Sequence, residues 1–167
     1  QTVHECVVGN ARLCCARFSL RNIGSRQKSL SLVGARIDDL SLKTYRETLE
    51  PASPEVRLLS PIGEEFPYYA LMGWAPGAGT AATDLPDART LWSVASGGPL
   101  APGKPVVLTW SNAKGLTFQR EISVDEKFLF TVSDSVTNTG TAAASMYSYG
   151  VIARHGEERH AKRIARA

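Results

Sequence analysis

An all-β sandwich is the fold class this sequence predicts, and three observations carry the prediction. Residues 106–138 hold three consecutive segments in which apolar and polar side chains alternate with a period of two. Gly, Pro, Asn and Asp punctuate the chain at short intervals, and no stretch shows a convincing long helical stripe. Period-two alternation between turn residues marks half-buried antiparallel strands. Many short strands without helices favour two packed sheets.

Taken in order, Gln1 to Lys28 has no persistent period and reads as a poorly ordered segment with a short strand at Ala16 to Leu20. Leu30 and Leu32 belong to a strand that breaks at Gly34, and residues 34–39 read as a turn or bulge before a strand at Leu40 to Tyr45. Polar, proline-flanked residues 46–54 form a loop, and short strands follow at Val56 to Leu59 and Tyr68 to Trp74. Pro76 to Pro86, dominated by Gly, Ala and Thr, is expected to be a mobile loop. Leu91 to Val94 is a further short strand, and Gly97 to Pro105 is rich in turns.

The strongest pattern comes next. Val106, Leu108 and Trp110 share one face, and Asn112-Ala113-Lys114-Gly115 supplies a hairpin loop. Leu116, Phe118, Ile122 and Val124 then oppose Thr117, Gln119, Glu121 and Ser123. After an Asp125-Glu126 turn, Phe128, Phe130, Val132 and Val136 share a face. One face of this meander requires a core, with 30–45 and 145–153 as candidate neighbours in its sheet. In the last strand, Tyr147, Tyr149 and Val151 share a parity. Residues 155–167 carry Ile164 as their one large apolar residue, too little to hold a helix, so a frayed basic tail is expected.

The net charge of +3 is unevenly spread. Gln1 to Lys28 carries +4, Ser29 to Ala153 carries −4, and Arg154 to Ala167 carries +3. Basic arms on an acidic body can bind nucleic acid or anionic lipid. The C-terminal one has no interleaved aromatics and two acids, which argues against nucleic-acid recognition. Cys6, Cys14 and Cys15 fit no zinc spacing. No apolar run reaches the about 18 residues of a membrane span, and the opening residues lack a signal-peptide pattern.

Groups able to move protons are scarce. His4, His155 and His160 all lie near the ends, so no Ser-His-Asp or Cys-His arrangement is expected. Asp38-Asp39, Glu64-Glu65 and Asp125-Glu126 read as solvated turn residues. The glycine-rich run 73–79 lacks the lysine of a phosphate loop. The expectation is a chain without catalytic residues, cofactor or metal. Trp110 shares the apolar parity of its strand and belongs to the core. Trp74 and Trp92 are open between core and a surface aromatic platform for a sugar or peptide.

An ordered set of segments carries a resemblance. Residues 34–45 (GARIDDLSLKTY), 53–61 (SPEVRLLSP), Pro67-Tyr68-Tyr69-Ala70, Gly73-Trp74, 100–104 (LAPGK), Thr109-Trp110 and Gly115-Leu116-Thr117-Phe118 resemble the large periplasmic domain of the YidC family of membrane protein insertases. The similarity continues through the meander and ends near Tyr149-Gly150-Val151-Ile152. It implies a β-supersandwich of galactose-mutarotase-like architecture on the periplasmic side of the inner membrane. It also implies a parent protein that inserts and folds membrane proteins, alone or with the Sec translocon. The implied partners are nascent membrane proteins and a SecF-type accessory protein, while the helical insertase core has no counterpart in these residues.

The resemblance divides the chain into a non-family segment at 1–28, a partial sandwich domain at 29–154 and a basic tail at 155–167. Since the charge and cysteine patterns break at the same places, the expectation is a truncated or frameshifted gene product. An incomplete sandwich would expose a sheet edge and be marginally stable. The alternative to an insertase domain is a carbohydrate-binding or mutarotase-like sandwich built on Trp74 and Trp92.

Overall fold

The structure is a computed structural model that describes residues 3–8, 12–21, 27–50, 52–126 and 129–156. Eleven strands are found among them. They are β1 (Val3–Val8), β2 (Arg12–Arg21), β3 (Gln27–Ser31), β4 (Arg36–Arg46), β5 (Glu55–Leu59) and β6 (Tyr68–Pro76). The remainder are β7 (Ser93–Ser96), β8 (Val106–Ser111), β9 (Leu116–Val124), β10 (Leu129–Asn138) and β11 (Ala144–Arg154). One sheet runs β1-β11-β6-β4-β3, with β5 also paired to β4, and the second runs β2-β10-β9-β8-β7. Every pairing between these strands is antiparallel.

The alternation of the meander becomes the inner face of the second sheet. Val106, Leu108, Leu116, Phe118, Ile122, Val124, Phe130, Val132 and Val136 are all buried. The first sheet answers with Ile37, Leu40, Leu59, Ala70, Met72, Trp74, Ala144 and Met146, and Leu85 and Trp92 enter from a connecting loop. Burying a large apolar side chain contributes about 1.5–3 kcal/mol, so this interlayer holds the two sheets together.

The strands at 30–45 and 145–153 do not extend the meander's sheet; they form the layer opposite it. A corner after β10 is the cause. Buried Asn138 donates from Nδ2 to the Ala142 carbonyl (2.8 Å) and accepts from the Gly140 amide (2.9 Å). The Thr139 amide bonds the Gly115 carbonyl at 2.9 Å, which ties the corner to the β8–β9 hairpin. The chain is thus turned into the other layer instead of folding back as a hairpin.

In β11 the buried residues are Ala144, Met146 and Ser148, while Tyr147, Tyr149 and Val151 take the opposite parity. Gly73, in register with Tyr149, explains the choice: a Cβ on Gly73 would lie 2.6 Å from the Tyr149 hydroxyl, so the phenol covers the glycine on the outer face. The loop at 76–86 is anchored, not loose. The Gly77 amide donates to the Ser145 carbonyl (2.8 Å) and the Ser145 amide to Thr80 Oγ1 (2.8 Å). A 3₁₀ turn at Ala82–Asp84 is held where Asn112 Nδ2 donates to the Asp84 carbonyl (2.8 Å) and Lys114 Nζ pairs with Asp84 Oδ2 (2.8 Å).

The N-terminal segment contributes β1 and the ten-residue β2 where one short strand at 16–20 was expected. Its sequence lacks alternation that would announce them, because pairing along an existing edge draws on backbone groups that every residue carries. Residues 157–167 of the expected basic tail lie outside the described residues.

Candidate functional site

Chemistry-bearing side chains converge inside the sandwich, on the inner parities of β9 and β10. Arg120 continues the series Leu116, Phe118, Ile122, Val124, and Asp134 continues Phe130, Val132, Val136. The two are direct partners in the β9–β10 register. Arg120 Nε donates to Asp134 Oδ1 at 2.7 Å and Nη2 to Oδ2 at 2.9 Å, with each side chain 1% exposed. Nη1 reaches the opposite layer, donating to the Ala35 carbonyl at 3.3 Å.

Two indoles cover the guanidinium. Its carbon lies 5.0 Å from the Trp74 ring and 5.4 Å from the Trp92 ring, within cation–π range. The indoles stack at 6.0 Å, and Phe118 meets Trp74 edge-on at 4.9 Å. Both residues proposed for an aromatic platform are therefore core: Trp74 is 5% exposed and Trp92 2%. Trp74 follows the inward parity of β6, and Arg120 supplies the polar partner that holds both rings inside. They offer no surface to a sugar or peptide. The Trp74 indole N–H has no hydrogen-bond partner among the described residues.

This centre suits fastening better than reaction. Both carboxylate oxygens and three guanidinium nitrogens are engaged, and two aromatic faces close over the cation. A bidentate arginine–carboxylate pair fixes both distance and orientation, here across two strands and, through Ala35, across two layers.

The remaining sequence candidates are dispersed. His155 stacks on Tyr69 at 6.2 Å, and its amide donates to the Pro67 carbonyl. His4 is opposite Ser148 in the β1–β11 register, and His160 lies outside the described residues. Glu64 accepts from Arg57 Nη1, and Arg57 Nη2 donates to Asp39 Oδ1 at 3.3 Å. Asp125 Oδ1 accepts from the Leu129 amide across its turn at 2.8 Å. Asp38 departs from the expected solvated turn: it lies within β4 and is buried. Burial raises its carboxyl above the usual aspartate range, and Arg36, 3.5 Å away, only partly offsets this. Gly73 and Gly77 serve close packing, since a Cβ on either would strike Tyr149 or Ser145. Among the described residues, no group of three or more His, Cys, Asp or Glu is placed to hold a metal ion.

Relationships to known proteins define the chain further. The model of the YidC periplasmic domain matches residues 26–165. The chain belongs to the YidC periplasmic domain family. A membrane protein insertase YidC of Ruegeria sp. (strain TM1040) is 57% identical over 129 residues, covering 77% of this chain and 21% of that relative. Those of Dinoroseobacter shibae and Bradyrhizobium diazoefficiens are 56% and 52% identical, each over 77% of this chain and 21% of the relative. This chain thus spans about a fifth of the length of the curated relatives it matches. No solved structure matches.

Within this YidC periplasmic domain, no helix among the described residues is long and apolar enough to cross a membrane. The sandwich agrees with the fold that the resemblance implied. The Arg120–Asp134 centre was absent from the sequence reading, yet a signal existed. Opposite charges sit within the otherwise apolar series Leu116 to Val124 and Phe130 to Val136, on hairpin-linked strands where each is in reach of the other.

Proposed function

We propose that the chain acts as the non-catalytic periplasmic domain of a membrane protein insertase. In this reading it works through protein contacts on the periplasmic side of the inner membrane, where the parent protein inserts and folds membrane proteins with or without the Sec translocon. Nascent membrane proteins and a SecF-type accessory protein are its partners, and nucleic acid is not. The observation that carries the reading is the match of residues 26–165 to the YidC periplasmic domain, supported by relatives named membrane protein insertase. The geometry supports a scaffold: the innermost charged groups neutralise each other and the tryptophans are packed. Burial of Trp74 and Trp92 removes the observation on which the carbohydrate-binding alternative stood.

The test is photo-crosslinking from residues on the exposed strand β7 and the exposed loop around Ile62, in inner-membrane extract, followed by mass spectrometry. Recovery of translocon components or membrane-protein chains is expected. Crosslinks confined to soluble periplasmic enzymes or polysaccharide would overturn the reading.

A further inference from the structure

Residues 3–8 and 12–21 precede the segment that matches the family, yet they complete both sheets. β1 pairs along β11 from Val3 opposite Tyr149 to Val8 opposite Ala144. β2 pairs along β10 from Arg12 opposite Thr137 to Arg21 opposite Leu129. One short segment therefore provides the outermost strand beside β10 in one layer and beside β11 in the other.

β10 and β11 have the composition of interior strands. β10 reads LFTVSDSVTN and β11 ASMYSYGVIAR, without a lysine or proline in either. Its one acid, Asp134, is buried against Arg120, and the one base of β11 is its last residue, Arg154. Strands that natively stand at an edge are shortened, charged, bulged or interrupted by proline, since an open row of N–H and C=O groups recruits another strand. β7, at the far edge of the same sheet, shows two of those devices: it has four residues and a register shift between Val94 and Ser96. β10 has ten residues; its register with β9 runs unbroken, and its one shift, between Asp134 and Ser135, is against β2. Charge favours the observed occupant, because the two strap strands carry Arg12, Arg17 and Arg21 against Glu5, while Ser29 to Ala153 carries −4.

We propose that β1 and β2, residues 3–8 and 12–21, form an edge-closing strap docked on β10 and β11 of their own chain. When the strap is released, these two edges pair with a second copy of the domain.

The strap's own cysteine supplies the test. Cys14 is in register with Ser135 of β10, the first pair after the register shift between Asp134 and Ser135. Directly opposed residues in an antiparallel pair have Cα atoms about 4.5–5.5 Å apart, within the range a disulfide spans. In the full chain carrying Cys6→Ser, Cys15→Ser and Ser135→Cys, mild oxidation is expected to link residues 14 and 135 within one chain and leave a monomer. A second full-length variant carries Arg17→Pro and Phe18→Pro. Successive amides in a strand point to opposite sides, so one of these two prolines removes an amide facing β10. Tenfold or faster amide exchange in β10 and concentration-dependent dimers in sedimentation are expected of it. Failure of the 14–135 link, a link formed only between chains, or a folded proline variant that stays monomeric with unchanged exchange would each overturn the proposal. If the proline variant does not fold, the disulfide result decides.

Discussion

Arg120 and Asp134 face each other across β9 and β10 with two hydrogen bonds of 2.7 and 2.9 Å, each side chain 1% exposed. Removing a charge from water is costly, and a buried pair offsets that cost only when both partners are present and well oriented. The value of either residue therefore depends on the other.

The first prediction follows from that dependence. Asp134→Ala leaves a guanidinium buried without its carboxylate and should lower the stability measured by urea unfolding by roughly 3–5 kcal/mol. The double variant Arg120→Met, Asp134→Leu should recover most of the loss. A double variant as unstable as the single one would show that the pair is not the reason.

Tryptophan fluorescence tests the burial of the two indoles. With Trp110→Phe, the remaining Trp74 and Trp92 should emit at short wavelength and resist iodide quenching, and hexoses or glycans should leave the spectrum unchanged. Trp92→Ala should cost about 3–5 kcal/mol, the range for deleting a large buried aromatic. Strong quenching or a sugar-dependent shift would return these rings to the surface.

Asp38 predicts a pH dependence of opposite sign to an ordinary ion-paired aspartate. Its folded-state pKa is raised, chiefly by burial. The contribution is therefore fully present below the unfolded-state pKa near 3.8 and is lost as pH rises through the folded value. Asp38→Asn should raise Tm at pH 7 relative to the parent chain, with the gain shrinking to nothing in acid. A variant less stable at pH 7 than at pH 3, relative to the parent, would reverse the assignment.

Asn112 concentrates the anchoring of the loop at 76–86. Its Oδ1 accepts from the Lys114 and Leu116 amides at 2.8 and 3.0 Å, and its Nδ2 donates to the Asp84 carbonyl. Asn112→Ala should cost about 1–3 kcal/mol and speed hydrogen exchange in residues 80–85. Lys114→Ala removes only an exposed ion pair and should cost at most about 1 kcal/mol. Equal effects from the two variants would place the anchor elsewhere.

Legibility in the sequence varied with the kind of interaction. Val106–Ser111 and Leu116–Val124 have the bounds that their alternation implies, because inward and outward side chains differ chemically at every step. In β11 the shared parity of Tyr147, Tyr149 and Val151 was readable, but not that it faces outward, where Tyr149 covers Gly73, a cross-strand relationship invisible within one strand's pattern. The loop at 76–86 looked mobile from composition, but its anchors come from Asn112, Lys114 and Ser145, distant in the chain. Arg120 and Asp134 were readable as anomalies in their parities, but not as a pair sealed by Trp74 and Trp92.

By itself the sequence determined the fold class, most strands of the meander and the family resemblance, because alternation and turn chemistry act over a few neighbouring residues. Tertiary structure alone decided which layer each strand joins, that Trp74 and Trp92 are core, and that Asp38 is buried while Glu64 is exposed. It also decided which strands stand at the edges. Those outcomes depend on contacts between residues far apart in the chain: the Asn138 corner, the guanidinium between two indoles, and the edge pairing of β1 and β2. Local chemistry selects the elements, and the desolvation of whatever they enclose selects their arrangement.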